Sequence, residues 1–231
     1  MTISMGVALL LERVAYRPIR EAPRLVALIT SVGASLFLQG TFFRLFGASS
    51  IAYPDIEVLE GRVLGGVLAR TQLIVIVAAA VLMVGLHSFI HRTRTGRAMR
   101  AVGEDREIAA LMGIDVDRVI ATTFAIGGLL AGAAGILFVF LFNQVRFFMG
   151  TIPGLKAFTA AVLGGIGNVT GAAIGGLILG VVENVGPILF LSGTGVPAPN
   201  QLQPVIAFGI LVLVLIFRPG GILGSSDPGR G

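Results

Sequence analysis

The chain has 231 residues, of which 55% are hydrophobic and only 13% charged, and its mean hydropathy is +0.94. Soluble domains carry about 25% charged residues, so this chain cannot clothe a water-facing surface and reads as an integral membrane protein. The absence of Cys excludes a disulfide framework and a thiolate metal site, and the net charge of +5 comes with no basic face interleaved with aromatics, which excludes nucleic acid as a partner.

In chain order, residues 2–11 are apolar but too short to span, since a crossing needs about 20 apolar residues. They suit the tail of a longer helix. The opening residues have no basic n-region or small-residue cleavage site, so they do not read as a signal peptide. Residues 12–24 carry Arg13, Arg17, Arg20 and Arg24, with Pro18 and Pro23 opposing a regular helix. Residues 25–46 form the first full-length span. A polar loop with a short extended piece is expected over 48–70, then a second span over 71–90 and a polar island over 91–118. A third span covers 119–142, where Gly128 and Gly132 make a small-residue pair suited to close helix approach or to nothing in so Gly-rich a chain. Residues 143–153 are a polar and aromatic link. Two apolar runs follow over 154–186, each short for a crossing, separated by a break at Gly167, Asn168, Thr170 and Gly171. They predict a pair of short helices, crossing twice or re-entrant; irregular backbone at that depth must be buried in protein or line a wet cavity. Residues 187–202 are Pro-rich and polar, and 203–217 form the last span. The fold class is therefore all-α: one polytopic helical bundle over 1–231 with about six full or partial spans.

Arginine and lysine counts at alternate loops set the orientation. The loops at 12–24, 91–118 and 218–231 hold four, six and two; those at 48–70, 143–156 and 187–202 hold four together, Arg62, Arg70, Arg146 and Lys156. The first set is expected in the cytoplasm.

The island carries helix signals of its own. Gly103 precedes Glu104, Asp105 and Glu107, which favour a first helical turn. Ile108, Leu111 and Met112 share one face, Gly113 suits the stop, and Asp115 suits the cap of the next span. The amphipathic helix so defined, 104–113, suits either a lipid surface or a groove on a cytoplasmic partner. Elsewhere, Ser31, Ser35 and Gln39 align on one helix face and, with Gly164, Gly165, Gly167, Asn168 and Gly171, are candidates for a translocation path or for helix packing. Glu183 is expected at the interface in contact with water, and Lys156 to snorkel there. His87 and His91, four apart, lack a nearby acid, so no metal site is expected.

The segment Glu107-Ile108-Ala109-Ala110-Leu111-Met112-Gly113 is similar to the Glu-Ala-Ala signature of ABC-importer permeases, with Ile108 in place of the first Ala. Around it, Arg94-Thr-Gly96-Arg97-Ala-Met99-Arg100 resembles the LivH-type permeases of branched-chain amino-acid importers. So do Arg17-Pro18-Ile19-Arg20, the block from Lys156 to Gly167, and the closing Arg218-Pro219-Gly220-Gly221. These blocks extend over most of the chain in family order. The resemblance implies a coupling helix, with Glu104, Glu107, Ile108, Ala109, Leu111, Met112 and Gly113 meeting an ATP-binding subunit. It implies two ATP-binding subunits, a second similar permease, a periplasmic or extracellular substrate-binding protein, surrounding membrane lipid, and residence in a bacterial or archaeal cytoplasmic membrane. Leucine, isoleucine, valine or a related amino acid or amide is the implied substrate. Family members begin with further helices before the Arg-Pro-x-Arg block, so a start upstream of Met1 or a shortened form is expected. No phosphate loop of the Lys-Ser/Thr type is present, so ATP would be used by a partner, with no cofactor and no catalytic or metal residue in this chain. The alternative is an ion-coupled secondary transporter or channel-like protein, for which the Gly-rich break is suitable but buried acids are scarce.

Overall fold

A computed structural model describes residues 1–20, 22–52, 62–63, 68–165, 167–191, 203–217 and 220–222. The chain divides into two compact units, Met1–Gly150 and Thr151–Gly231.

In the first unit, α1 (Thr2–Leu11) continues into a π-helical turn over Glu12–Tyr16 and a 3₁₀ turn over Arg17–Ile19. Pro18 sits inside the 3₁₀ turn and Pro23 caps α2 (Arg24–Phe46), so the prolines break the regular helix where expected. After α2 come β1 (Ile51–Ala52), β2 (Arg62–Val63) and β3 (Leu68–Ala69); β2 and β3 pair antiparallel. Pro54, Asp55, Glu57 and Glu60 of the expected loop lie outside the described residues. Next are α3 (Arg70–Arg92), α4 (Arg94–Glu104), α5 (Arg106–Leu111), α6 (Val116–Phe142) and β4 (Gln144–Val145). The small-residue pair is used for packing: α1 lies on α6, and Ser4 Oγ donates to the Gly128 carbonyl at 2.7 Å. A methyl on Gly128 would fall 2.5 Å from Ala8 Cβ, and one on Gly132 would fall 2.9 Å from Ser4 Cβ. Only glycine permits that approach.

The loops of the first unit sort by contact. β1 pairs antiparallel with β4, Ile51 opposite Val145, and Phe43 packs on Phe147 with ring centroids 5.1 Å apart. Residues 51–52 and 144–145, from the two arginine-poor segments, thus meet. At the other ends of the helices, Arg17 binds Asp117 at 2.8 Å, joining the 12–24 segment to the 91–118 island.

The second unit is a helical hairpin, α7 (Thr151–Gly164) and α8 (Val169–Leu191), with α9 (Gln203–Phe217) packed on both. Its core includes Thr159 and Leu163, each 1% exposed, with Ala160, Val162 and Leu179. The expectation that both runs are short holds for α7, at 14 residues, but not for α8, at 23. Glu183 and Asn184 do not end α8: Glu183 Oε2 accepts from Lys156, and Asn184 Nδ2 donates to the Gly180 carbonyl at 2.8 Å. In the last turn of α7 the Leu163 carbonyl accepts from the Ile222 amide at 2.8 Å, so the end of α7 and the segment after Arg218 lie at one face of this unit. Four described helices or helix segments are long and apolar enough to cross a membrane: Leu25–Phe46, Arg70–Arg92, Val116–Phe142 and Val169–Gly186.

Candidate functional site: the α4–α5–α6 junction

The polar island folds as two short helices set between two long ones. Thr93 caps α4, its Oγ1 accepting from the Gly96 amide at 3.0 Å while donating to the Phe89 carbonyl at 2.7 Å. The turn from α3 into α4 is tight enough that a methyl on Gly96 would lie 2.3 Å from the Ile90 carbonyl oxygen. The arginines at 94, 97 and 100 therefore ride on a helix of their own, which the sequence pattern did not mark.

α4 ends at Glu104, and Asp105 starts α5. With φ −151° and ψ 119°, Asp105 is extended, and its Oδ1 accepts from the amides of Glu107 at 2.9 Å and Ile108 at 3.0 Å. This corrects the expected helix boundary. The acids do not share a first turn: Glu104 closes α4, Asp105 is the cap, and Glu107 alone lies in the first turn of α5. The physical reason is that an Asp side chain satisfies the free amides of a helix start better than it serves inside a helix. The other end of α5 is as expected. Gly113 adopts φ +82°, its amide donates to the Ala110 carbonyl at 3.0 Å, and the Ile114 amide donates to the Ala109 carbonyl at 3.1 Å. This is a Schellman stop, which needs a left-handed residue at that place. Asp115 then caps α6, accepting from the Arg118 amide at 3.0 Å.

The two caps leave only Met112, Gly113, Ile114 and Asp115 between α5 and α6. Ala109, 3% exposed, packs with Val102 of α4 and Val119 of α6. The opposite face of α5 is bare: Ile108, Leu111 and Met112 are 59%, 86% and 77% exposed. Glu104 and Glu107 are exposed beside them. Of the residues assigned to coupling, then, six lie at or near an open surface, and Ala109 is the inward anchor.

Two carboxylates join this junction to the start of the chain. Asp117 is held by Arg17 and Arg20, and Arg20 also binds Glu12, which is 5% exposed. The turns over 12–19 are thereby fixed to the first turn of α6.

The other candidate residues do not converge. Ser31 Oγ donates to the Leu28 carbonyl at 2.6 Å and Gln39 Nε2 donates to Ser35 Oγ at 3.0 Å, so this row bonds within α2. The glycine cluster belongs to the second unit and is a backbone contact. A methyl on Gly164 would lie 2.1 Å from the Gly171 carbonyl group, and Asn168 Oδ1 caps α8 by accepting from the Gly171 amide at 3.0 Å. Gly165 and Gly167 take φ +102° and +95° in the turn. What the sequence pattern missed is the pairing of Lys156 and Glu183. Lys156 Nζ donates to Glu183 Oε2 at 2.7 Å, and Glu183 is 6% exposed, not in contact with water. The signal was present: folding 154–186 at the glycine break brings these two residues within a turn of each other.

Apolar helices of spanning length, joined by a capped and partly bare two-helix loop, define a multi-pass membrane protein. The family of branched-chain amino acid transport system permease components matches residues 1–215, and the chain belongs to it. Among its relatives, the high-affinity branched-chain amino acid transport system permease BraD of Pseudomonas aeruginosa is 42% identical over 222 residues, 94% of this chain and 70% of BraD. LivH of Escherichia coli, a permease of the same description, is 41% identical with the same coverage. A more distant relative is the autoinducer 2 import system permease LsrD of Escherichia coli, 28% identical over 196 residues, 80% of this chain and 55% of LsrD. No solved structure matches the chain.

Proposed function

We propose that the chain is the permease component of an ATP-driven importer for branched-chain amino acids or related amino acids and amides, in the cytoplasmic membrane of a bacterium or archaeon. The observation that carries the coupling part of this reading is the bare apolar face of α5, with Leu111 86% exposed on a helix otherwise fixed at both ends. A membrane surface would take such a face, but a groove on an ATP-binding subunit also takes the flanking Glu104 and Glu107. The names of the relatives support the substrate class.

In this mechanism two ATP-binding subunits hydrolyse the nucleotide, and this chain binds no cofactor and performs no chemistry. Closure of the two subunits displaces α5. The Schellman stop and the Asp115 cap leave no slack, so α6 follows. The Arg17–Asp117 and Arg20–Asp117 pairs carry the displacement into the segment over 12–19, and the α1–α6 contact moves with it. A second, similar permease completes the path, and an external binding protein delivers the substrate.

The test is L111R together with M112R, followed by co-purification with the ATP-binding subunits and ATP-dependent uptake. Burying each of these side chains is worth about 1.5–3 kcal/mol, so their replacement by a cation should weaken association by at least about tenfold. Unchanged association and uptake would sink the assignment.

A further inference from the structure

From residue 119 to residue 217 the sequence holds one acid, Glu183, and two bases, Arg146 and Lys156. Arg146 lies in the link between helices, so the hairpin of α7 and α8 carries the only pair of opposite charges in that stretch. The pair is unusual in what it leaves open. Glu183 Oε2 is bound by Lys156 Nζ at 2.7 Å, but Oε1 is buried with no hydrogen-bond partner among the described residues. A buried carboxylate oxygen without a donor is costly to keep. Lys156 is one-third exposed and an ammonium has three donors, so it has hydrogens to give beyond the one Glu183 takes.

An α-amino acid presents one ammonium and one carboxylate, and neither crosses an apolar region unpaired. The other candidate path residues offer neither charge: the Ser31, Ser35 and Gln39 row is neutral, and the glycine cluster is closed on itself. We propose that Lys156 and Glu183 form a zwitterion site, at which Glu183 takes the α-ammonium of an aliphatic amino acid and Lys156 takes its α-carboxylate. The proposal rests on the importer reading above and assigns it a substrate contact. In the empty protein Lys156 stands where the substrate ammonium goes. Entry of the amino acid exchanges one internal ion pair for two substrate pairs, so no charge is left unpaired at any stage. Oε1 supplies the second acceptor that an ammonium needs and a lysine at this distance does not use. Both residues lie in the halves of their helices remote from the glycine break, and the last turn of α7, beside that break, is bonded to the segment after Arg218 through the Leu163 carbonyl and the Ile222 amide. On the arginine orientation the pair therefore sits toward the outer side, where an importer receives its cargo.

The complete transporter, with its ATP-binding subunits, partner permease and leucine-loaded binding protein, is reconstituted in liposomes, and leucine delivered per ATP hydrolysed is measured. E183Q and K156Q should each lower that ratio by at least about tenfold, because each leaves one substrate charge unpaired. The double variant K156E/E183K keeps an ion pair across the hairpin but reverses its sense, and its ratio should stay low. A pair that serves only to hold α7 to α8 would be restored by the swap, so a wild-type ratio there overturns the proposal, as does a wild-type ratio in E183Q. Should E183Q fail to assemble, E183D carries the test: it keeps the charge but shortens its reach, and the ratio should fall by about threefold or more, a wild-type value again overturning the proposal. A wild-type complex that moves no aliphatic amino acid but moves another solute would refute the importer reading itself.

Discussion

The contact between α7 and α8 makes a sharp prediction about glycine. In Gly175→Ala the new methyl lies 2.4 Å from the Ala160 carbonyl oxygen and 2.9 Å from the Gly164 amide nitrogen. Both obstacles are backbone, so no side-chain rotation relieves them and the helices must part. Gly180→Ala, on the same helix, meets nothing within 4 Å. Each substitution gains the same helix preference of alanine over glycine, about 1 kcal/mol, so that contribution cancels between them. What remains is overpacking at Gly175, about 1–3 kcal/mol. For a chain of this length, at about 2–4 °C per kcal/mol, that places the unfolding midpoint of Gly175→Ala about 2–12 °C below that of Gly180→Ala. The assay is thermal unfolding of the two purified variants in one detergent, followed by loss of monodisperse protein. Equal midpoints would refute the close approach of the hairpin, and with it the geometry that brings Lys156 to Glu183.

Other expectations concern the junction. Asp105→Ala removes the cap that two amides share and should cost about 1 kcal/mol, read as faster amide exchange at Glu107 and Ile108. Gly113→Ala forces a side chain to φ +82° at a cost of about 1–2 kcal/mol, and uptake should fall more than the amount of assembled complex, since α5 and α6 lose their fixed angle. Arg20→Gln unties Asp117 from buried Glu12; leucine delivered per ATP should drop while ATP-binding subunits still co-purify, and an unchanged ratio would remove Arg20 from the transmission path. Gly128→Ala pushes on Ala8 and Ser4 and should destabilise by about 1–3 kcal/mol, against no penalty for Gly135→Ala, where the space is open.

Periodicity and length were enough for the spans: α2, α3, α6 and α9 begin and end within a few residues of the apolar runs that predicted them. The α5 stop was equally plain, because a glycine after an amphipathic stretch has one common use. The α5 start was not, because Glu104, Asp105 and Glu107 all suit an early turn, and the sequence does not say which one turns its side chain onto the free amides, as Asp105 does for Glu107 and Ile108. α4 went unmarked for a related reason: its three arginines read as a solvated charge run until Thr93 and Gly96 are seen to turn the chain. Glu183 is buried where the sequence reading expects contact with water, because a buried acid is intelligible only with its partner, and Lys156 is 27 residues away. A single sequence ranks an acid near the end of an apolar run as wet; the fold makes it dry by supplying the opposite charge.

Arginine-rich segments repel one another unless acids stand between them, and here Asp117 accepts two arginines from 12–24 while Glu12 holds one of them a second time. The arginine-poor segments need no such arrangement and meet through backbone pairing of β1 with β4 and through Phe43 on Phe147. The two sets of segments thus differ in the kind of contact that joins them: ion pairs in one, backbone pairing and a ring contact in the other. The ion-paired connections lie on the side that carries α5, where the proposed coupling would need a stiff joint. The other side is joined by a two-residue ladder and a ring contact, so fewer and weaker contacts hold it together.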